Sequence, residues 1–240
     1  MDKLQMLLGM LQNASPQNIA IDEPIDGMEK DLLDVRGLPR IELHGTYLKY
    51  SDNQRALFCR KHGLYQLPTA ELLMFLNHHI SGRAAIEIGC GVGAVGRGLR
   101  IPITDSRSQE DPAIVAKYRA MGQPVIKYPD DVVKLTAAQA VAHYKPQVVI
   151  GCWITQLMKA DYRLTPTGNA TGVDEVLMLT EGFGGGHRPD LYVHVGNLGT
   201  HGDKELLNDS RLQVETIQAP WVVSRSMKTA DNIIYIVARK

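Results

Sequence analysis

Cysteine is scarce. Cys59, Cys90 and Cys152 are the only three in 240 residues, and they are far apart with no C-x-x-C pair. That set excludes a disulfide framework and predicts free thiols in a reducing compartment. Net charge is also missing, because 26 lysines and arginines balance 26 aspartates and glutamates. No global field therefore draws the chain to nucleic acid. No apolar run approaches the ~20 residues that span a bilayer. The first residues lack the basic start and small-residue cleavage site of a signal peptide. These absences predict a cytoplasmic protein without membrane attachment. Cys59 and His62, with His78 and His79, do not fall at recognised zinc-ligand spacing, so no metal site is predicted. What remains is ordinary: 44% hydrophobic and 22% charged residues, enough for one well-packed domain with additions.

The informative stretch is Ala84-Ala85-Ile86-Glu87-Ile88-Gly89-Cys90-Gly91-Val92-Gly93-Ala94-Val95-Gly96. An apolar run followed by glycines at every second position reads as a buried strand entering a turn. Glycine there lets the backbone turn sharply and lets a ligand come close. A helix starting at Ala94 would present its free N–H groups to that ligand. Two cofactor classes use such a turn. Gly89, Gly91 and Ala94 satisfy the dinucleotide pattern G-x-G-x-x-A. Against that, Glu87 sits two residues before the first glycine, where its charge would repel a pyrophosphate.

The rest of the chain supports an α/β reading. Leu4, Leu7, Leu8 and Leu11 form an amphipathic stripe, suited to docking on the main domain or to pairing with a second copy. Residues 16–40 are acidic and proline-punctuated, and read as a linker with one short helix near Met28 to Val35. Arg55, Arg60, Lys61 and His62 form a basic patch, either a solvated helix face or a lid. Thr69 caps a helix whose buried stripe is Leu72, Leu73, Phe75, Leu76 and Ile80. Strands are predicted at Ile103 to Asp105, Pro124 to Tyr128, Gln147 to Cys152 and Leu191 to Val195. The last two, Val214 to Gln218 and Ile233 to Val237, are expected to be antiparallel. Glu181 to His187 is glycine-rich and reads as a hinge. The domain boundary falls near 66: residues 1–66 are an N-terminal extension and 67–240 the cofactor-binding domain.

Glu87, Gly89, Gly91 and Gly93 match (D/E)-x-G-x-G-x-G, and this resembles motif I of the class I methyltransferases. The resemblance spans roughly residues 65–240. Within that superfamily, Ala85 to Gly89, Thr104-Asp105-Ser106 and Gln147 to Thr155 resemble a group of bacterial and prophage methyltransferase-like proteins. It implies a Rossmann-like sheet of about seven strands, mostly parallel with the last antiparallel, behind an N-terminal helical extension. It implies S-adenosylmethionine as cofactor and S-adenosylhomocysteine as product. Glu87 would position the cationic methionine end, Asp105 with Ser106 would hold the ribose, and Asp131 would reach the adenine amine. After the fourth strand, nucleic-acid amino methyltransferases carry (D/N/S)-P-P-(Y/F/W), whereas this chain has Cys152-Trp153-Ile154-Thr155. That departure counts against base methylation and leaves an unidentified acceptor, a small molecule or a protein before nucleic acid. Trp153 is placed to stack on cofactor or acceptor, Asn197 to orient the acceptor, and His201 to act as general base. Two alternatives stay open: a cofactor-binding module without catalysis, and an NAD-dependent oxidoreductase.

Overall fold

The computed structural model of the chain describes residues 24–120, 125–157 and 172–240. The amphipathic stripe at residues 4–11 and the polar loop after residue 157 fall mostly or wholly outside these residues.

The apolar runs become the interior strands. Strands β1 (Ala85–Ile88), β4 (Val148–Cys152) and β5 (Leu191–Asn197) are buried along almost their whole length. Continuous burial of this kind is what parallel strands covered on both faces require. β1 pairs in parallel with β4, and β4 with β5. The sheet order is β1-β4-β5-β7-β6. β7 (Asn232–Arg239) runs antiparallel to both β5 and β6 (Leu212–Ile217), lying between them. A second pair, β2 (Thr104–Asp105) with β3 (Val133–Lys134), is parallel. It is tied to β1 by a single bridge from Glu87 to Ile103 and by the Cys90 N–H donating to the Thr104 carbonyl. The carboxyl ends of β1, β2, β3, β4 and β5 therefore share one rim, which in open α/β sheets is where ligands bind.

Helices cover both faces. Helix α4 (Ala70–Ile80) begins where the Thr69 hydroxyl accepts the Leu72 N–H and donates to the Trp221 carbonyl. It buries Leu72, Leu73, Leu76 and Ile80 against Val95, Val148 and Ile150. Helix α5 (Ala94–Leu99) lies on the same core. On the other face stand α7 (Ala137–Tyr144) and α8 (Glu175–Thr180), which meet Ile86, Ile88 and Val149. Thr136 and Gln139 form a reciprocal capping box on α7, a pairing that satisfies two orphan N–H groups. Helices α1 (Met28–Leu32), α2 (His44–Tyr47) and α3 (Asp52–Lys61) build a third core around Phe58 and Cys59, closed by Leu67, Val223 and Val92. Residues before 67 are thus packed directly behind the glycine turn. Helix α6 (Pro112–Ala120) stands between β2 and β3 in sequence and has no buried residue. A short helix, α9 (Leu198–His201), follows β5.

Three expectations are corrected. Val125 to Tyr128 is not a strand; the third strand is the two-residue β3, whose side chains are both exposed. Arg55 does not belong to a solvated patch. It is 6% exposed and its guanidinium meets the Tyr47 and Tyr50 carbonyls and Asp52. The glycine-rich hinge is a short 3-10 turn at Phe183–Gly185.

Candidate active site

β1 ends in Glu87-Ile88, and the chain then turns through Gly89, Gly91 and Gly93 at φ of +54°, +55° and +70°. L side chains rarely adopt this conformation. At Gly89 an added Cβ would also collide with Ile154, and at Gly96 it would meet Ile103 and the Glu87 carboxylate. The turn is therefore closed against β4 on one side and β2 on the other.

The acids on either side of the turn take its N–H groups. Glu87 Oε2 accepts the Gly96 N–H at 2.8 Å, and the Cys152 thiol stands close to the same carboxylate. Asp105 accepts the Gly91 N–H on Oδ2 at 2.9 Å and the Arg107 N–H on Oδ1 at 2.7 Å. The Tyr128 hydroxyl stands near Asp105. Burial pushes Glu87 up to about 7 against the pull of these donors. Burial likewise holds Asp105 above its ordinary range and Cys152 well above its own. Among the described residues Arg97 is the cation that acts on Glu87, but its guanidinium is committed elsewhere. It forms a bidentate pair with Asp131, both contacts at 2.8 Å, and donates to the Val92 and Gly93 carbonyls at 3.0 and 3.1 Å.

A cavity of about 590 Å³ opens over this turn, within the ~300–1,000 Å³ of small-molecule sites. Glu87, Gly89, Gly91, Asp105 and Ser106 form one wall, and Cys152 to Thr155 continue it past β4. Tyr65, Tyr118 and Tyr128 close one side, and Thr136, Leu177 and Phe183 the other. Among the described residues no lysine, arginine or histidine lines it. Tyr65 and Tyr118 stand close together, and Gln109 Oε1 accepts the Ile126 N–H at 2.9 Å. The segment before α4 thus reaches the cavity through Tyr65, whose ring also faces the Arg225 guanidinium at 4.8 Å.

Trp153 follows β4 with a φ of 59°. This left-handed conformation is costly for a bulky residue and worth reading as a functional signal. Its ring lies 6.0 Å from Tyr65 and 5.3 Å, edge-on, from His201.

The remaining predicted residues are placed elsewhere. Gly93 shapes the turn without lining the cavity. Asp131 faces a separate, more basic cleft that also holds Arg36, Lys61 and Lys127. It is half exposed and held by Arg97, because the third strand starts after it and not before it. The residue that follows β3 into the cavity is Thr136. His201 and Asn197 do not line the cavity. Asn197 caps α9 through Oδ1 and donates to Asn232 and the Lys228 carbonyl. His201 is 1% exposed, accepts the Asn197 N–H on Nδ1, and is pushed down to about 3 by burial and then by the charge of Lys204. A buried imidazole of this kind is a poor proton acceptor near neutrality. Sequence reasoning missed Tyr118, Tyr128 and Thr136. Only Thr136 carried a signal, the T-x-x-Q helix start. The described residues contain no group of three or more potential metal ligands. No helix among them is long and apolar enough to cross a membrane.

No protein-family model matches the chain, and no curated protein matches it. Solved structures with a similar arrangement include the 23S rRNA methyltransferase ErmE, at 15% identity over 71% of this chain and 68% of that one, TM-score 0.35. An O-methyltransferase from Bacillus cereus in complex with SAH shows 12% identity over 71% and 81%, TM-score 0.35. Cofactor-bound Rv0187 from MTB shows 14% identity over 97% and 96%, TM-score 0.36. At these identities and scores the likenesses carry no inference about the chemistry of this chain.

Proposed function

We propose that the chain is an S-adenosylmethionine-dependent methyltransferase. One observation carries the reading: the glycine turn gives its Gly91 and Gly96 N–H groups to Asp105 and Glu87. A pyrophosphate needs such N–H groups free, and would lie against two carboxylates. A nucleoside with a positively charged tail suits the same surface. Asp105 keeps acceptor capacity for vicinal ribose hydroxyls, since each carboxylate oxygen offers two lone pairs. Ser106 lines the cavity beside it, and Glu87 faces the positive end.

Methyl transfer requires acceptor, methyl carbon and sulfur in line, so positioning supplies much of the rate. The cavity walls suit a small molecule or a single protein side chain as acceptor, presented beside Trp153. A nucleic-acid acceptor would need its phosphates held outside this cavity, whose described lining residues include no cation. Calorimetric titration with S-adenosylmethionine, S-adenosylhomocysteine and NAD tests the cofactor class. Saturable binding of the sulfur compounds alone is expected; binding of NAD alone would overturn the reading.

A second reading is a module that binds the cofactor without transferring its methyl group. The position of His201 favours it, since that imidazole neither reaches the cavity nor holds a proton near neutrality. Tight cofactor binding with no product across a broad acceptor screen would select it.

A further inference from the structure

Glu87 is 1% exposed, yet it forms part of the cavity wall. Its carboxyl accepts the Gly96 N–H, has the Cys152 thiol close by, and among the described residues meets no positive partner. On β4 the facing group is the neutral Cys152 thiol, and burial holds the turn's Cys90 thiol protonated as well. On β2 it is Asp105, another acid. On α5 it is Arg97, whose guanidinium is spent on Asp131 and two backbone carbonyls. A carboxylate buried without a counter-charge is expensive. It takes up a proton, or a cation arrives to balance it.

We propose that Glu87 exchanges its proton for the positive charge of the bound cofactor. The inference rests on the cofactor reading above. In the empty cavity Glu87 is a neutral acid whose carbonyl oxygen accepts the Gly96 N–H. A cofactor bringing a sulfonium and an ammonium group supplies the missing counter-charge. The O–H bond of the carboxyl then breaks, the proton passes to solvent, and the carboxylate remains beside the cation. Binding of one cationic ligand releases one proton, and the balance of charge in the wall is unchanged. A neutral nucleoside has no such charge to offer and leaves the proton in place. Glu87 thereby selects for a charged tail, independently of how Asp105 and Ser106 hold the ribose. Burial already places the empty site's proton close to physiological pH, so the exchange falls where it can be measured.

The experiment is calorimetric titration of the full chain with S-adenosylmethionine and with adenosine at pH 6 and 7, in buffers of different ionisation heat, for the wild type and Glu87→Gln. Titration of the ligand itself is common to both proteins and cancels in their ratio. The wild-type affinity for S-adenosylmethionine, relative to Glu87→Gln, should rise about fivefold from pH 6 to pH 7. Nearly one proton should be released per ligand at pH 6. Adenosine should show neither effect. Should the variant fail to fold, infrared difference spectra of the wild type decide, because the carbonyl stretch of one protonated carboxyl should vanish when S-adenosylmethionine is added. Saturable binding with a flat pH ratio, or with that band absent before addition, would overturn the exchange alone. No saturable binding at either pH would overturn the cofactor reading itself.

Discussion

Glu87 and Glu175 are both withdrawn from water, at 1% and 3% exposure, and they are held in opposite ways. Glu175 opens α8 and faces the closed interior. Lys204 Nζ donates to its Oε1 at 2.6 Å, the Tyr192 hydroxyl donates to the same oxygen at 2.8 Å, and His194 stands beyond at 3.9 Å. Burial still holds Glu175 above its usual range, but its counter-charge is built into the chain. Glu87 has the Gly96 N–H and, among the described residues, no cation, and its open side is the cavity. A buried acid completed by its own chain is architecture. One left incomplete at a cavity wall is a valence for something that comes from outside.

The sharpest way to break this comparison is to make the two acids alike. Lys204→Met strips Glu175 of its partner, which should lower stability by about 3–5 kcal/mol. That corresponds to roughly 10 °C or more in the unfolding midpoint for a chain of this size. Adding Glu175→Gln should return most of the loss, and thermal unfolding at pH 7 checks both. Glu87→Gln should do the reverse. Affinity for S-adenosylmethionine should fall roughly tenfold to a hundredfold, or about 1.4–2.7 kcal/mol. Stability should not suffer. The folded-state value of Glu87 is raised from 4.5 to about 7, so the stability linked to its proton is full below pH 4.5 and lost as pH rises through 7. The variant lacks that loss, and above pH 7 it should match or exceed the wild type in denaturant titrations. A variant clearly less stable at pH 8 would show that Glu87 is structural, as Glu175 is.

Gly96→Ala tests the shared wall between the turn and Glu87. The new methyl would crowd Ile103 and the Glu87 carboxylate, at about 1–3 kcal/mol, with cofactor affinity reduced several-fold. Asp131→Asn should have the smallest effect. The carboxylate is half exposed, so the change is worth about 0–1 kcal/mol, and the bonds to the Val92 and Gly93 carbonyls still hold Arg97 away from Glu87. Affinity should stay within twofold. A tenfold loss would bring Asp131 back into the site.

Much of the frame was legible because apolar burial writes itself into the chain. Val148 to Ile150 and Ile233 to Val237 announced interior strands, and Thr69 announced the start of α4. The glycine turn was legible because three left-handed positions demand a residue without a side chain. β3 was not legible, since two exposed residues carry no hydrophobic pattern, and Val125 to Tyr128 looked more like a strand than Val133–Lys134 does. Counting from Tyr128 leads to Asp131, whereas the residue that lines the cavity after β3 is Thr136. His201 was judged by its ordinary titration range and its place after β5. Its withdrawal from the cavity depends on Asn197, His194 and Lys204 converging from three points of the chain, which spacing alone does not reveal. In the sequence the Cys152 thiol is only a departure from a motif, and its place beside Glu87 appears once β1 and β4 are set side by side.

The position of β7 has a consequence for the order of assembly. β6 precedes β7 in the chain but pairs only with it among the strands, so β6 cannot join the sheet until β7 has docked on β5. Until then the β5 edge carries unpaired backbone groups beside fully buried side chains, an open template for other chains. Residues 191–197 stay open on that side until residues 232–239 arrive, whether β7 comes alone or already paired with β6. The edge open to misassembly is therefore that of β5, two strands away from β1 and the glycine turn.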